Sequence, residues 1–212
     1  MHRSTMVRYA HGDGSRDLGI AAIVLAAGVS SRLGRAKQLL EFGGKCLVRH
    51  VADSAVGAAC SPIVVVVGAE AESVRAALAG LGARAVENPG WREGIASSLR
   101  RGIQALPEHI DAAIVLLCDQ PAVSSALLQA LVTTQRNTGK AIVACRWNAV
   151  IGPPVLFLRE RFAALLALSG DVGARSVLER EGDGVALVDF PEGAFDVDTP
   201  EDWARWQARS GA

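Results

Sequence analysis

Paired metal-ligand motifs, long apolar runs and an excess of either charge are all missing from these 212 residues. The four cysteines, Cys46, Cys60, Cys118 and Cys145, make no CxxC pair, and the four histidines, His2, His11, His50 and His109, make no HExxH. A zinc site and a disulfide framework are therefore disfavoured, and the reduced thiols of a cytoplasmic protein are expected. No apolar run approaches the roughly 18 residues that a membrane span requires, so no membrane partner is expected. Lysine plus arginine equals aspartate plus glutamate at 22 each, which argues against the broad basic footprint of a nucleic-acid binder. The opening "MHRSTMVRYAHGDGSRDLG" lacks the apolar core of a secretory signal. Residues 1–19 read as a mobile polar extension, and residues 20–212 as one domain.

What is present is a regular alternation. A chain of this length buries roughly 70–75% of the surface its unfolded form exposes, enough for a full core without metal or disulfide. From Ile20, strand-like runs such as "IAAIVLA", "PIVVVVG" and "AAIVLLC" alternate with segments of helical periodicity, for example Val48, Val51, Ala52, Ala55, Val56 and Ala59. That pattern builds a mostly parallel sheet covered by helices on both faces, with ligands placed beyond the strand ends. After Asp119 the order loosens, through "AIVAC", "PVLFL" and "VALVD" to a final helix.

Four stretches carry chemistry. In "VLAAGVSSRLGRAK" an apolar strand gives way to Gly28, Arg32, Gly34 and Lys37, which suit a backbone wrapped around an anion, although the spacing departs from both GxxxxGK(S/T) and GxGxxG. In "LLCDQPAV" a buried run delivers Asp119 to a strand end before Pro121, a position suited to holding Mg²⁺ or to capping a helix. In "FDVDTPEDW" Asp196 and Asp198 alternate along an extended segment and share a face; Asp198, ending that strand, is the better ligand, while Asp196 is equally explained as solvated. Thr199, Pro200 and Asp202 form a helix-start pattern. In "NPGWREGIASSLRRG" Gly94, Ser97 and Ser98 stand where a helix begins and suit either a base or ribose contact or simple capping.

In this order the four stretches resemble the nucleotidyltransferase superfamily that includes the molybdenum cofactor cytidylyl- and guanylyltransferases. The resemblance runs from about Ile20 to Trp206. It implies an α/β fold, a Rossmann-like three-layer sandwich of the nucleotide-diphospho-sugar transferase type, that condenses a nucleoside triphosphate with a phosphorylated small-molecule acceptor and releases pyrophosphate. By position, Leu25, Ala26, Ala27, Gly28, Ser30, Ser31, Gly94, Ser97 and Ser98 would bind the nucleotide. Arg32 and Lys37 would meet the triphosphate, Asp119 and Asp198 would hold Mg²⁺, and Arg32, Lys37 and Asp119 would form the catalytic set. Leu-Ala-Ala-Gly, where guanylyl enzymes tend to read Leu-Ala-Gly-Gly, points to CTP rather than GTP, with molybdopterin or the molybdenum cofactor as acceptor and a molybdoenzyme or accessory protein as partner. "IGPPVLF" departs from the Gly-His-Pro or Gly-Asn-Pro step of many cytidylyl relatives. In "GDVGAR", Arg175 is a candidate ligand for the acceptor phosphate, or an ordinary surface ion pair. Three rivals are transfer to a sugar or polyol phosphate, a noncatalytic nucleotide- or cofactor-binding accessory protein, and a nicotinamide-dependent oxidoreductase; Asp119, Asp198 and Lys37 speak against the second, and the lack of GxGxxG and of a ribose-binding acid speaks more strongly against the third.

Overall fold

The computed structural model describes residues 18–30 and 32–210, so residues 1–17 of the expected extension and the candidate Ser31 lie outside the described residues. Gly19, read as the end of that extension, is tied down: its N–H donates to the Asp111 carboxylate at 2.8 Å. The described residues form nine strands: β1 (Ile20–Ala26), β2 (Glu41–Phe42), β3 (Lys45–Cys46), β4 (Ile63–Val67), β5 (Arg84–Glu87), β6 (Ala112–Leu117), β7 (Ile142–Trp147), β8 (Val150–Leu158) and β9 (Val185–Asp189). The helices are α1 (Leu47–Gly57), α2 (Ala71–Ala77), α3 (Ile95–Gln104), α4 (Ser125–Thr138), α5 (Phe162–Leu166), α6 (Arg175–Glu181) and α7 (Pro200–Ser210). Among the described residues no helix is long and apolar enough to cross a membrane.

Seven strands form one sheet in the order β5-β4-β1-β6-β8-β7-β9. Only β8 runs against its neighbours, antiparallel to both β6 and β7. The fully buried β-branched runs of β1, β4 and β6 are what a sheet covered on both faces demands. Alternate residues feed two cores. Ala22, Val24, Val65 and Ile114 face α1 and α4, whereas Ile23, Val64, Val66 and Val115 face α3, α5 and α6.

Where α3 crosses the sheet, Gly102 allows close approach. A Cβ there would press into the Ile23 Cγ2 methyl and lie 3.3 Å from Val66 Cγ2. Gly102→Ala is expected to cost about 1–3 kcal/mol through overpacking, read as a lower denaturation midpoint.

Two local readings change. "IGPP" lies inside β8, not before a strand, because the β7–β8 register shifts between Ala144 and Cys145. Cys145 pairs with Gly152 and Ala144 with Val155, so Pro153 and Pro154 fall in the irregularity; β6 pairs only with residues 155–158. Prolines, which cannot donate to a ladder, fit there. Residues 195–198 form no strand either, although Val197 N–H donates to Asp119 O at 3.0 Å. The segment is instead pinned by side chains: buried Val197 packs with Leu33, Leu40, Leu47 and Trp203 in a small third core. Directly after it, Asp202 accepts from Thr199 N and Oγ1, both at 2.9 Å, and Thr199 Oγ1 accepts from Asp202 N, starting α7 as a capping box.

Candidate active site

Beyond the C-terminal ends of β1 and β6 lies a cavity of about 470 Å³. Leu25, Ala26, Ala27 and Gly28 form one wall, and Leu117, Cys118 and Asp119 another. Three hydrogen bonds shape the loop after β1. Ser30, at φ +54°, accepts from Lys37 N at 3.0 Å and donates to Gln38 Oε1 at 3.3 Å; Gln38 Nε2 donates to Gly28 O at 3.1 Å. Gln38 is almost wholly buried and thus locks the glycine turn from behind. A second cavity of about 500 Å³, between residues 35–41 and α7, holds none of the phosphate-directed groups.

Lysine and carboxylates meet at the first cavity. Lys37 Nζ pairs with Asp119 Oδ2 and lies 2.8 Å from Asp198 Oδ1. Arg32, its side chain 71% exposed, reaches Asp198 Oδ2 at 2.7 Å. Desolvation alone would lower the Lys37 pKa, but the Asp119 charge and the hydrogen bonds to Asp119 and Asp198 raise it above the ordinary lysine range, so the ammonium stays charged. Desolvation likewise works to raise Asp198, yet the hydrogen bond and charge of Lys37, then Arg32, hold it below the usual carboxylate range. Burial, then the Asp119 charge, pushes the Cys118 thiol up to about 12, so it is neutral and no nucleophile.

Asp196 belongs to the same cluster. Although solvent reaches it, desolvation and the Asp119 and Asp198 charges push its carboxyl up to about 6, against a hydrogen bond from Gln120 that lowers it. A carboxyl raised from 3.8 to about 6 binds its proton more readily in the native state, so its contribution to stability falls as pH rises through that window. Asp196→Asn is therefore expected to match the wild type below the window and to melt higher above it, as thermal scans across pH would show.

These groups fit a divalent cation. Asp119 Oδ1 is buried and lacks a hydrogen-bond partner, as does Gln120 Oε1. Buried oxygens without donors are what a hard cation or its bound water can satisfy. The described residues contain no cluster of three or more His, Cys, Asp or Glu built as a metal cage. Mg²⁺ needs none, since one or two carboxylates with waters and substrate phosphates are enough.

The remaining candidates divide. Gly94 and Ser98 line the cavity. Ser97 does not: its hydroxyl lies 2.8 Å from Gly94 O and 3.0 Å from Gly90 O, and it accepts from Asn88 Nδ2 at 2.9 Å, so it braces the turn before α3. Asn88 Nδ2 also donates to Ser98 Oγ at 3.0 Å, which leaves the Ser98 proton available. Arg175 is not brought to the cavity; it pairs with Glu179 at 3.2 Å, one turn along α6, with both side chains exposed. Asp171 from the same motif does line the cavity and accepts weakly from Ile95 N at 3.4 Å. Sequence reasoning missed Gln38, Gln120 and Trp91, and noted Asp171 only as part of "GDVGAR" beside Arg175. A buried glutamine has no periodic signature by which to find it.

Residues 22–185 match the family model of the MobA-like NTP transferase domain. The chain is 33% identical over 199 residues to a nicotine blue oxidoreductase of Paenarthrobacter nicotinovorans, covering 88% of this chain and 95% of that one. Among solved structures it is similar to Rv0371c of Mycobacterium tuberculosis, with TM-score 0.79, 30% identity and coverage of 91% and 100%. Another structure of Rv0371c, a complex with manganese, gives TM-score 0.71 at 28% identity, over 88% and 97% of the two chains. A nucleotidyl transferase from Methanothermobacter thermautotroptrophicus gives TM-score 0.77 at 25% identity, over 92% and 98%.

Proposed function

Because this chain belongs to the MobA-like NTP transferase family, we propose that it is an Mg²⁺-dependent enzyme that condenses CTP with a phosphorylated acceptor, molybdopterin or the molybdenum cofactor first among them, and releases pyrophosphate. One observation carries this reading: Lys37 and Asp119 line a cavity beyond the strand ends beside the Gly28 loop, and Asp198 meets Lys37 there. An acceptor phosphate oxygen would attack the α-phosphorus in line, with no covalent enzyme intermediate. A phosphate dianion needs no general base, which accords with a cavity that no histidine among the described residues lines. Positioning and charge neutralisation remain for the protein to supply.

Gly28, its carbonyl fixed by Gln38, would let the nucleotide approach the backbone closely. The Ser98 hydroxyl would contact base or ribose, while Lys37 and Arg32 would offset charge on the departing pyrophosphate. Asp119 and Asp198 would hold Mg²⁺, which when bound neutralises phosphate oxygens. On the acceptor side, Asp171 rather than Arg175 lines the cavity. Buried free thiols at all four cysteines accord with a cytoplasmic setting. The test is a screen of four nucleoside triphosphates against molybdopterin and common sugar phosphates, following pyrophosphate. Release with a sugar phosphate alone would reassign the acceptor, and none with any pair would overturn the reading.

The full-length similarity to a nicotine blue oxidoreductase favours a second reading, an oxidoreductase acting on a compound of that kind. Consumption of a reducing coenzyme with such a compound, without pyrophosphate from any triphosphate, would select it.

CTP rests on Ala27, whose Cβ packs over Gly68: a Cβ added to Gly68 would lie 2.9 Å from it. Ala27→Gly is expected to shift the ratio of kcat/KM for CTP and GTP towards GTP, within the roughly 10- to 200-fold that one methyl commands. Competition between the two nucleotides in one assay measures it, and an unchanged ratio would remove Ala27 as a determinant.

A further inference from the structure

We infer that the Lys37 ammonium is the resident occupant of the cation position between Asp119 and Asp198, so that a divalent cation is admitted only when a triphosphate takes that ammonium. The inference rests on the nucleotidyl-transfer reading for the identity of the anion, and on this chain's geometry for the rest. Lys37 Nζ binds one oxygen of each carboxylate, Asp119 Oδ2 and Asp198 Oδ1. Arg32 takes the other oxygen of Asp198. Both carboxylates are therefore bridged by a single point charge, and they are the same two groups that would hold a divalent cation.

Charge counting gives the direction. Two aspartate charges against one lysine and one arginine leave no net charge, apart from Asp196, which feels Asp119, Asp198 and Lys37. A dication entering with both basic groups in place would meet the Lys37 charge at contact distance, where repulsion is strongest. A triphosphate reverses this, because its anionic oxygens offer Lys37 and Arg32 new partners and release both carboxylates together. Lys37 has the reach to make that exchange: it sits at the start of the 3₁₀ turn Lys37–Leu39, its backbone N–H fixed to Ser30 Oγ while four side-chain torsions remain to swing the ammonium. Asp119 Oδ1, buried and without a partner, is then the oxygen left waiting on the carboxylate that Lys37 vacates.

The exchange makes cation and nucleotide binding mutually dependent, and it is testable without turnover. Mn²⁺ alone is titrated into the full chain, and the signal of free Mn²⁺ is followed by electron paramagnetic resonance; circular dichroism checks each variant. Lys37→Gln and Lys37→Met are expected to bind Mn²⁺ about tenfold tighter than the wild type, or more, without nucleotide. A merely phosphate-binding lysine would leave Mn²⁺ affinity unchanged, and that result overturns the inference. Stoichiometric uptake of Mn²⁺ by the wild type alone overturns it too, with no variant needed. In a separate arm, CTP, GTP, ATP and UTP are titrated by calorimetry in chelator. If the variants gain Mn²⁺ but no triphosphate binds, occupancy by Lys37 stands and the nucleotidyl-transfer reading falls. If a triphosphate binds and the variants gain nothing, the reverse holds.

Discussion

Asp119→Asn is expected to lower pyrophosphate release by about 100- to 1,000-fold, the range seen when one charge-stabilising group is removed from a reacting centre. The fold should barely notice. Lys37 retains Asp198 at 2.8 Å, and Asp119 O still accepts from Val197 N. Loss of one hydrogen bond to a charged group then costs about 1.5–3 kcal/mol at most, and less where solvent reaches the pair. The comparison that decides is activity at limiting Mg²⁺ against the thermal midpoint of the same preparation. Near-normal turnover at limiting Mg²⁺ would remove Asp119 from the catalytic set.

The second large effect is on stability, at Gly94. Its φ of +109° is one that side-chain-bearing residues rarely adopt. A Cβ there would also strike the Gly170 carbonyl and lie 2.7 Å from Asp171 N. The approach is tight because Ala96 N–H donates to Gly170 O at 3.2 Å, bringing the turn before α5's successor helix onto the first turn of α3. Gly94→Ala is expected to cost about 3 kcal/mol from backbone strain and overpacking together, lowering the melting temperature by about 6–12 °C. Gly28 supplies the control: a Cβ there meets nothing within 4 Å. Gly28→Ala should melt like the wild type and lose nucleotide affinity, which separates a glycine kept for the fold from one kept for a ligand. Equal melting temperatures for the two variants would refute the distinction.

How legible was this molecule in its residues? The strands that build the sheet were, because "IAAIVLA", "PIVVVVG" and "AAIVLLC" are short, continuous and bounded by breakers, as two-sided burial requires. The reversal of β8 was not, since an apolar strand reads the same in either direction and "IGPP" resembles a turn until a register shift absorbs it. At the site, spacing brought out the glycine loop, Lys37, Asp119 and Asp198, all of which meet. It failed where one residue type serves two purposes. Ser97 and Ser98 are neighbours of identical chemistry, and only their angular positions on α3 turn one towards Gly90 and Gly94 and the other towards the cavity. Arg175 has the same charge as Arg32, but a glutamate four residues on offers it a local partner. Nor does spacing reveal that the lysine of the glycine loop rests between two aspartates, since separation along the chain says nothing about which counter-charge is nearest.

The small core of Leu33, Leu40, Leu47, Val197 and Trp203 also sets a timetable. Lys37 and Asp198 stand 161 residues apart, and the residues that hold them in register belong to opposite ends of the chain. A ribosome therefore delivers the glycine loop before, and its Asp198 partner after, nearly all of the seven-stranded sheet. Until then Leu33, Leu40 and Leu47 lack the indole of Trp203 that covers them, and the loop's cations lack Asp198. A nascent chain halted after β9 would have all seven strands of the sheet but neither Asp198 nor Trp203, so the Lys37 clasp forms only after the scaffold that carries it.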